Sequence, residues 1–184
     1  MKRILIPLPD HDFDLTEVAV PWKLFSRKGY EIVFATEKGE RAFCDPKLIS
    51  GVIFGQLGAS REAIQFYREL EQQDAFLHPV KYTDINPEDF DALILPGGHA
   101  QGMKQYLENK DLQQKVLRFF ELQKLTGSIC HGCIVLARTM DPQTGKPVIA
   151  NRKLTGLTKF LERLAYWLTA WKLGRYYRTY PEYV

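Results

Sequence analysis

Three short stretches of the chain hold residues whose types and spacing could do chemistry. The first is Ser128-Ile129-Cys130-His131-Gly132-Cys133. A residue between small neighbours, after a strand and before a helix, has the layout of a nucleophile elbow, in which the nucleophile stands clear of the sheet. Orphan amides and the helix dipole at such a turn lower a thiol's pKa and favour the thiolate. Gly132 gives the turn room. The competing reading is a buried structural cysteine, since cysteine is among the most buried residue types.

The second stretch is Leu95-Pro96-Gly97-Gly98-His99-Ala100-Gln101-Gly102-Met103. Gly97 and Gly98 would let backbone amides approach a substrate oxygen, as an oxyanion site requires, with His99 lining the pocket. A plain turn from strand to helix uses the same residues, and His99 would then only cap the next helix. The third stretch is Asp14-Leu15-Thr16-Glu17, with Pro21 four residues beyond Glu17. A carboxylate here, partly desolvated beside Cys130, would have a raised pKa and could shuttle protons near neutrality. Otherwise it is a solvated acid in the first turn of a helix, where acids are favoured.

Further residues complete the set. Glu162, on the last helix, could orient the imidazole of His131, or could pair with Lys159 and Arg163 at the surface. Cys133 makes a Cys-x-x-Cys with Cys130, but its position after the fourth strand places it as a core residue rather than a redox partner. Cys44 has no chemical constellation around it. Four histidines and three cysteines, none in ligand spacing, give no expectation of a metal, and nothing points to a cofactor.

These residues need a scaffold. Continuous apolar runs at residues 3–8, 31–36 and 91–95 read as strands covered on both faces, with residues 126–130 a weaker fourth. Helical periodicity appears at 15–28, 61–73, 111–124, 133–139 and, rich in aromatics, 159–173. Alternating strands and helices imply an α/β fold: a doubly wound parallel sheet with helices on both faces. Residues 38–90 form an insertion after the second strand. The 184 residues carry a net charge of +3 with the charges interleaved, which argues for neither nucleic acid nor membrane as partner. No signal peptide or bilayer-length apolar run is visible, and three cysteines are too few for a disulfide framework. The expectation is one cytoplasmic domain over 1–184.

At these residues the chain resembles the ThiJ/PfpI superfamily, relatives of class I glutamine amidotransferases with a flavodoxin-like fold. Glu17 with Pro21, the run from Asp89 through Pro96-Gly97-Gly98-His99, and Ile129-Cys130-His131-Gly132 carry the likeness, which spans most of residues 1–160. The insertion and the Cys-His-Gly resemble the branch of heat-shock-inducible glyoxalase III and chaperone proteins. That resemblance implies Cys130 as nucleophile, His131 as its partner, Glu17 as proton shuttle and Glu162 near the place of the triad acid. It implies that Gly98 and His131 supply oxyanion amides. It also implies conversion of 2-oxoaldehydes such as methylglyoxal to 2-hydroxy acids through a Cys130 hemithioacetal, without glutathione or metal.

Members similar in site act as peptidases, amidases or chaperones, so a holdase or a redox sensor oxidised at Cys130 stands as an alternative, with the Tyr-rich tail (Tyr166, Tyr176, Tyr177, Tyr180, Tyr183) as client surface. Two departures stand out. Cys133 replaces the small apolar residue or Pro that often follows Cys-His-Gly. The chain also stops soon after the aromatic helix, where similar proteins continue into another strand and helix. An uncovered sheet edge or helix face is then expected, with a homodimer as one way to cover it.

Overall fold

The computed structural model describes residues 1–51, 58–156, 158–176 and 178–180. In chain order the elements are β1 (Arg3–Pro7), β2 (His11–Phe13), α1 (Leu15–Arg27), β3 (Glu31–Thr36), β4 (Phe43–Cys44), α2 (Pro46–Ser50), α3 (Arg61–Leu70), α4 (Asp74–Leu77) and β5 (Val80–Lys81). Then follow β6 (Ala92–Leu95), α5 (Met103–Glu108), α6 (Lys110–Glu121), β7 (Leu125–Ser128), α7 (Gly132–Arg138), the two-residue strands β8 (Met140–Asp141) and β9 (Lys146–Pro147), and α8 (Lys159–Leu173).

The apolar runs become strands because they can be covered on both faces. Ile4, Leu5, Ile6, Phe34, Leu93 and Leu95 are buried. The main sheet has the order β5-β3-β1-β6-β7, with every pair parallel. Helices α1 and α3 pack together beside β3, and α6 and α7 lie against β6 and β7. This is the expected doubly wound α/β sheet. Its strand order reverses beside β1, which has β3 on one side and β6 on the other. The carboxyl ends of strands at such a switch open a crevice.

The insertion is stitched to this sheet rather than hung from it. β4 pairs with β2, and β5 joins the sheet edge at Ala35↔Val80. Neither short pairing was expected, because two-residue strands carry no periodicity to read. Phe76 meets Phe13, Phe34 and Tyr67 edge-on, joining α4 and α3 to β2 and β3. The hydrophobic core runs from Ile4 to Leu136.

The last helix is different. In α8 only Glu162 and Thr169 are buried, while Phe160, Trp167 and Trp171 are each more than 70% exposed. The aromatic helix therefore turns its large side chains outward, and β6 is the partner recorded for β7 at the sheet edge. Gly174 ends the helix at φ 56°. The chain then returns over the site: Tyr176 bonds Asp45, Thr179 Oγ1 donates to the His99 carbonyl at 2.8 Å, and Tyr180 receives Arg138. Tyr177 and Tyr183 lie outside the described residues. No helix among the described residues is long and apolar enough to cross a membrane.

Burial decides where substitutions cost stability. Phe76→Ala should lose about 3–5 kcal/mol by removing the aromatic hub, whereas Trp167→Ala should stay within about 0.5 kcal/mol. Urea denaturation of the two variants measures both.

Candidate active site

The site is assembled at the carboxyl ends of β1, β6 and β7. The chain leaves β7 at Ser128, and Ile129 N–H donates to the Leu95 carbonyl at 2.9 Å, holding the turn against β6. Cys130 then takes φ 50°, a left-handed conformation that a non-glycine residue adopts at some cost. Gly132 N–H closes the turn on the Ile129 carbonyl at 2.9 Å. The turn has the tight elbow geometry the sequence predicted, and it is strained at Cys130.

Two glycines make room for it. A Cβ on Gly132 would lie 2.1 Å from the Leu95 carbonyl oxygen, and one on Gly97 would lie 2.6 Å from the His131 nitrogen. Neither position has space for a side chain. Gly97 is also tied to α1 through both of its backbone polar groups: Asp14 N–H donates to its carbonyl at 2.9 Å, and its own N–H donates to Glu17 Oε2 at 2.7 Å. Asp14 caps α1 through the amides of Thr16 and Glu17. Asp14-x-x-Glu17 thus has capping-box spacing, but Glu17 reaches across to β6 instead of back to its own cap.

Glu17 meets Cys130, and the carboxyl and thiol hydrogen-bond each other. Burial and the neighbouring Asp14 carboxylate raise Glu17 to about 7, although the Gly97 amide pulls the other way. The thiol does not behave as the helix-dipole argument predicted. Burial, followed by the charge of Glu17, pushes Cys130 up to about 12, outweighing the His131 amide that favours the thiolate. Near neutrality the thiol keeps its proton while the carboxyl passes between its two states.

Two imidazoles complete the cluster. His131 Nδ1 lies 3.5 Å from Cys130 Sγ and His99 Nε2 lies 3.9 Å from it. Their rings meet edge to face with centroids 4.9 Å apart. Burial lowers both pKa values, and for His131, taken to about 4, His99 lowers it further. Both rings are neutral at pH 7.

Several expectations change here. Glu162 is buried within α8. The Gly97 N–H is engaged by Glu17. Among the described residues the Gly98 N–H makes no such bond, and His131 N–H points to the sulfur. Cys133 is not core: it is half-buried, 3.0 Å from Ser128 Oγ, and lines an open cleft of about 720 Å³ with Phe120, Lys124, Ile149 and Leu154. Asp14 is the residue that sequence reasoning undervalued. The capping spacing to Glu17 was the available signal.

A family model described as ThiJ/PfpI family-like matches residues 8–182. The chain belongs to that family. It is 28% identical over 144 residues to Glyoxalase 3 of Candida albicans and 23% identical over 145 residues to the glutathione-independent glyoxalase HSP31 of Saccharomyces cerevisiae. Each alignment takes in 78% of this chain and 59% of the relative, so the chain spans about three-fifths of their length. The crystal structure of glyoxalase III from Candida albicans superposes with a TM-score of 0.68 at 25% identity, covering 89% of this chain and 71% of that one. These matches support the flavodoxin-like doubly wound fold that the sequence pointed to.

Two substitutions probe the geometry. Gly132→Ala should destabilise the protein by about 1–3 kcal/mol, because the new methyl group meets a strand carbonyl that cannot yield cheaply. Its midpoint in urea should fall accordingly. Glu17→Gln should act through linkage. The folded state raises Glu17 from its ordinary 4.5 to about 7, so its contribution to stability is full below pH 4.5 and is lost as pH rises through 7. The Gln variant should therefore exceed the wild type by about 1–3 kcal/mol at pH 8, allowing for solvent screening of a half-buried group, and match it near pH 4.

Proposed function

We propose that this chain is a cysteine-dependent enzyme of the glyoxalase III type, converting 2-oxoaldehydes such as methylglyoxal to 2-hydroxy acids. The observation that carries the reading is the Glu17–Cys130 pair, in which a carboxyl poised near pH 7 hydrogen-bonds the thiol. Ionised Glu17 takes the thiol proton as sulfur attacks the aldehyde carbon, and the new C–O⁻ gains a proton to give a hemithioacetal. Glu17 or His131 then moves the hydrogen of that carbon to the neighbouring ketone carbon, leaving a thioester of the 2-hydroxy acid. Water cleaves the thioester and restores the thiol. The sum is addition of one water to the oxoaldehyde, with no external oxidant or reductant. Gly98 and His131 are the amides proposed to face the developing oxyanion, with His99 lining the pocket.

The electrostatics favour this reading over a peptidase or amidase. Cysteine peptidases activate their nucleophile as a thiolate–imidazolium pair. Here both imidazoles are held neutral by burial, and the proton acceptor in contact with the thiol is a carboxylate. A holdase role has its own support in the outward aromatic face of α8. The similarity to glyoxalases under these names also fits a small aldehyde as substrate, while a cytoplasmic location and a homodimer remain part of this proposal.

The pH profile tests the mechanism. With Glu17 near 7 and the thiol pushed far higher, kcat/KM for methylglyoxal without glutathione should rise with pH along a single limb centred near 7. Glu17→Gln should lower kcat by about 10²-fold or more and remove that limb, and Cys130→Ser should abolish turnover. Unchanged turnover in Cys130→Ser would sink the enzymatic reading. Suppression of client aggregation that survives the same substitution would move the function to α8.

A further inference from the structure

The sequence gives no metal spacing, because His99 is 31 residues away from Cys130. The fold removes that distance. Cys130 Sγ, His131 Nδ1 and His99 Nε2 all lie within 4.8 Å of one another, with both imidazole nitrogens turned toward the sulfur. We propose that these three groups form a soft-metal site that takes Zn²⁺ and reversibly caps the nucleophile.

The geometry is close to what the ion needs. Zinc bonds of about 2.3 Å to sulfur and about 2.0–2.1 Å to nitrogen, at tetrahedral angles, set sulfur-to-nitrogen separations of about 3.6 Å. The observed separations are 3.5 and 3.9 Å. The two ring nitrogens, which lie within 4.8 Å of each other, must also draw in to about 3.3 Å, and His99 sits on the loop after β6 rather than within a strand or helix. One thiolate and two imidazoles suit zinc over magnesium or calcium, which prefer oxygen.

Binding breaks the S–H bond, forms S–Zn and sends the proton to Glu17 or to buffer, with no change of oxidation state. Cys130, His99 and Glu17 are half-buried, which leaves the fourth position for water or the Glu17 carboxylate. The sulfur lone pair that would attack an electrophile is then engaged by the metal. This inference stands on the cluster's geometry and does not depend on which substrate the thiol serves.

The test uses chelator-stripped full chain and Zn²⁺ alone, titrated against a chromophoric competitor, with Co²⁺ as a spectroscopic stand-in. One equivalent should bind, and Co²⁺ should give a thiolate-to-metal charge-transfer band in the near ultraviolet. The band should vanish in Cys130→Ser, and His99→Ala should weaken Zn²⁺ binding by about tenfold or more. Zn²⁺ should also slow iodoacetamide alkylation of Cys130, with chelator restoring the rate. Absence of stoichiometric binding, or binding indifferent to both substitutions, overturns the proposal. Circular dichroism confirms folding of each variant, and His99→Ala decides alone if Cys130→Ser does not fold. The alkylation readout needs no turnover, so it is informative even if the aldehyde reading fails.

Discussion

Everything at the site depends on the backbone of one glycine. Gly97 accepts from Asp14, donates to Glu17, and lies so close to the elbow that any side chain would strike the His131 nitrogen. The backbone of one residue thus fixes the start of α1 to the end of β6, and the side of the same residue that lacks a Cβ receives the turn after β7. Three strand ends that are remote in sequence are brought into register within a few ångströms. A residue with a Cβ here would separate the acid from the thiol before any chemistry was considered.

This arrangement has an energetic consequence. Glu17 is held by an amide donor at a helix N-terminus, two features that ordinarily lower a carboxyl pKa. Burial and Asp14 win instead, because half-burial removes water from the carboxylate while Asp14, placed to cap the helix, adds a second negative charge. The capping residue therefore does two jobs that pull against each other: it stabilises α1 and destabilises the ionised form of its neighbour. That tension sets Glu17 near neutrality, where a general base is most effective.

The sequence made the scaffold legible because its signals are local and repetitive. The buried strands β1, β3 and β6 are continuous apolar runs, and α1, α6 and α8 carry the helical period nearly to their ends. The elbow was legible too, since Cys130-His131-Gly132 after a strand constrains the turn by type and order. What could not be read were properties that arise only from packing. Cys133 follows an inward helical pattern, yet α7 at the sheet edge leaves it beside Ser128 on an open cleft. The thiol pKa depends on the balance between a short helix's dipole and burial beside a carboxylate, and no spacing encodes that balance.

The same balance separates reaction classes that share the fold. A thiol activated as an ion pair needs a charged imidazole, and a charged imidazole needs either water or a carboxylate to sustain it. His131 has burial and a second imidazole instead, so its protonated form is disfavoured from both sides. The acid that might have sustained it is placed against the sulfur. A carboxylate there cannot stabilise a standing thiolate, because the two negative charges repel. It can only receive the proton at the moment sulfur becomes bonded to carbon, when the charge passes on to the former carbonyl oxygen. In the proposed reaction the nucleophile is therefore generated in the act of addition, and a small, reactive carbonyl is the kind of electrophile that such a thiol can engage.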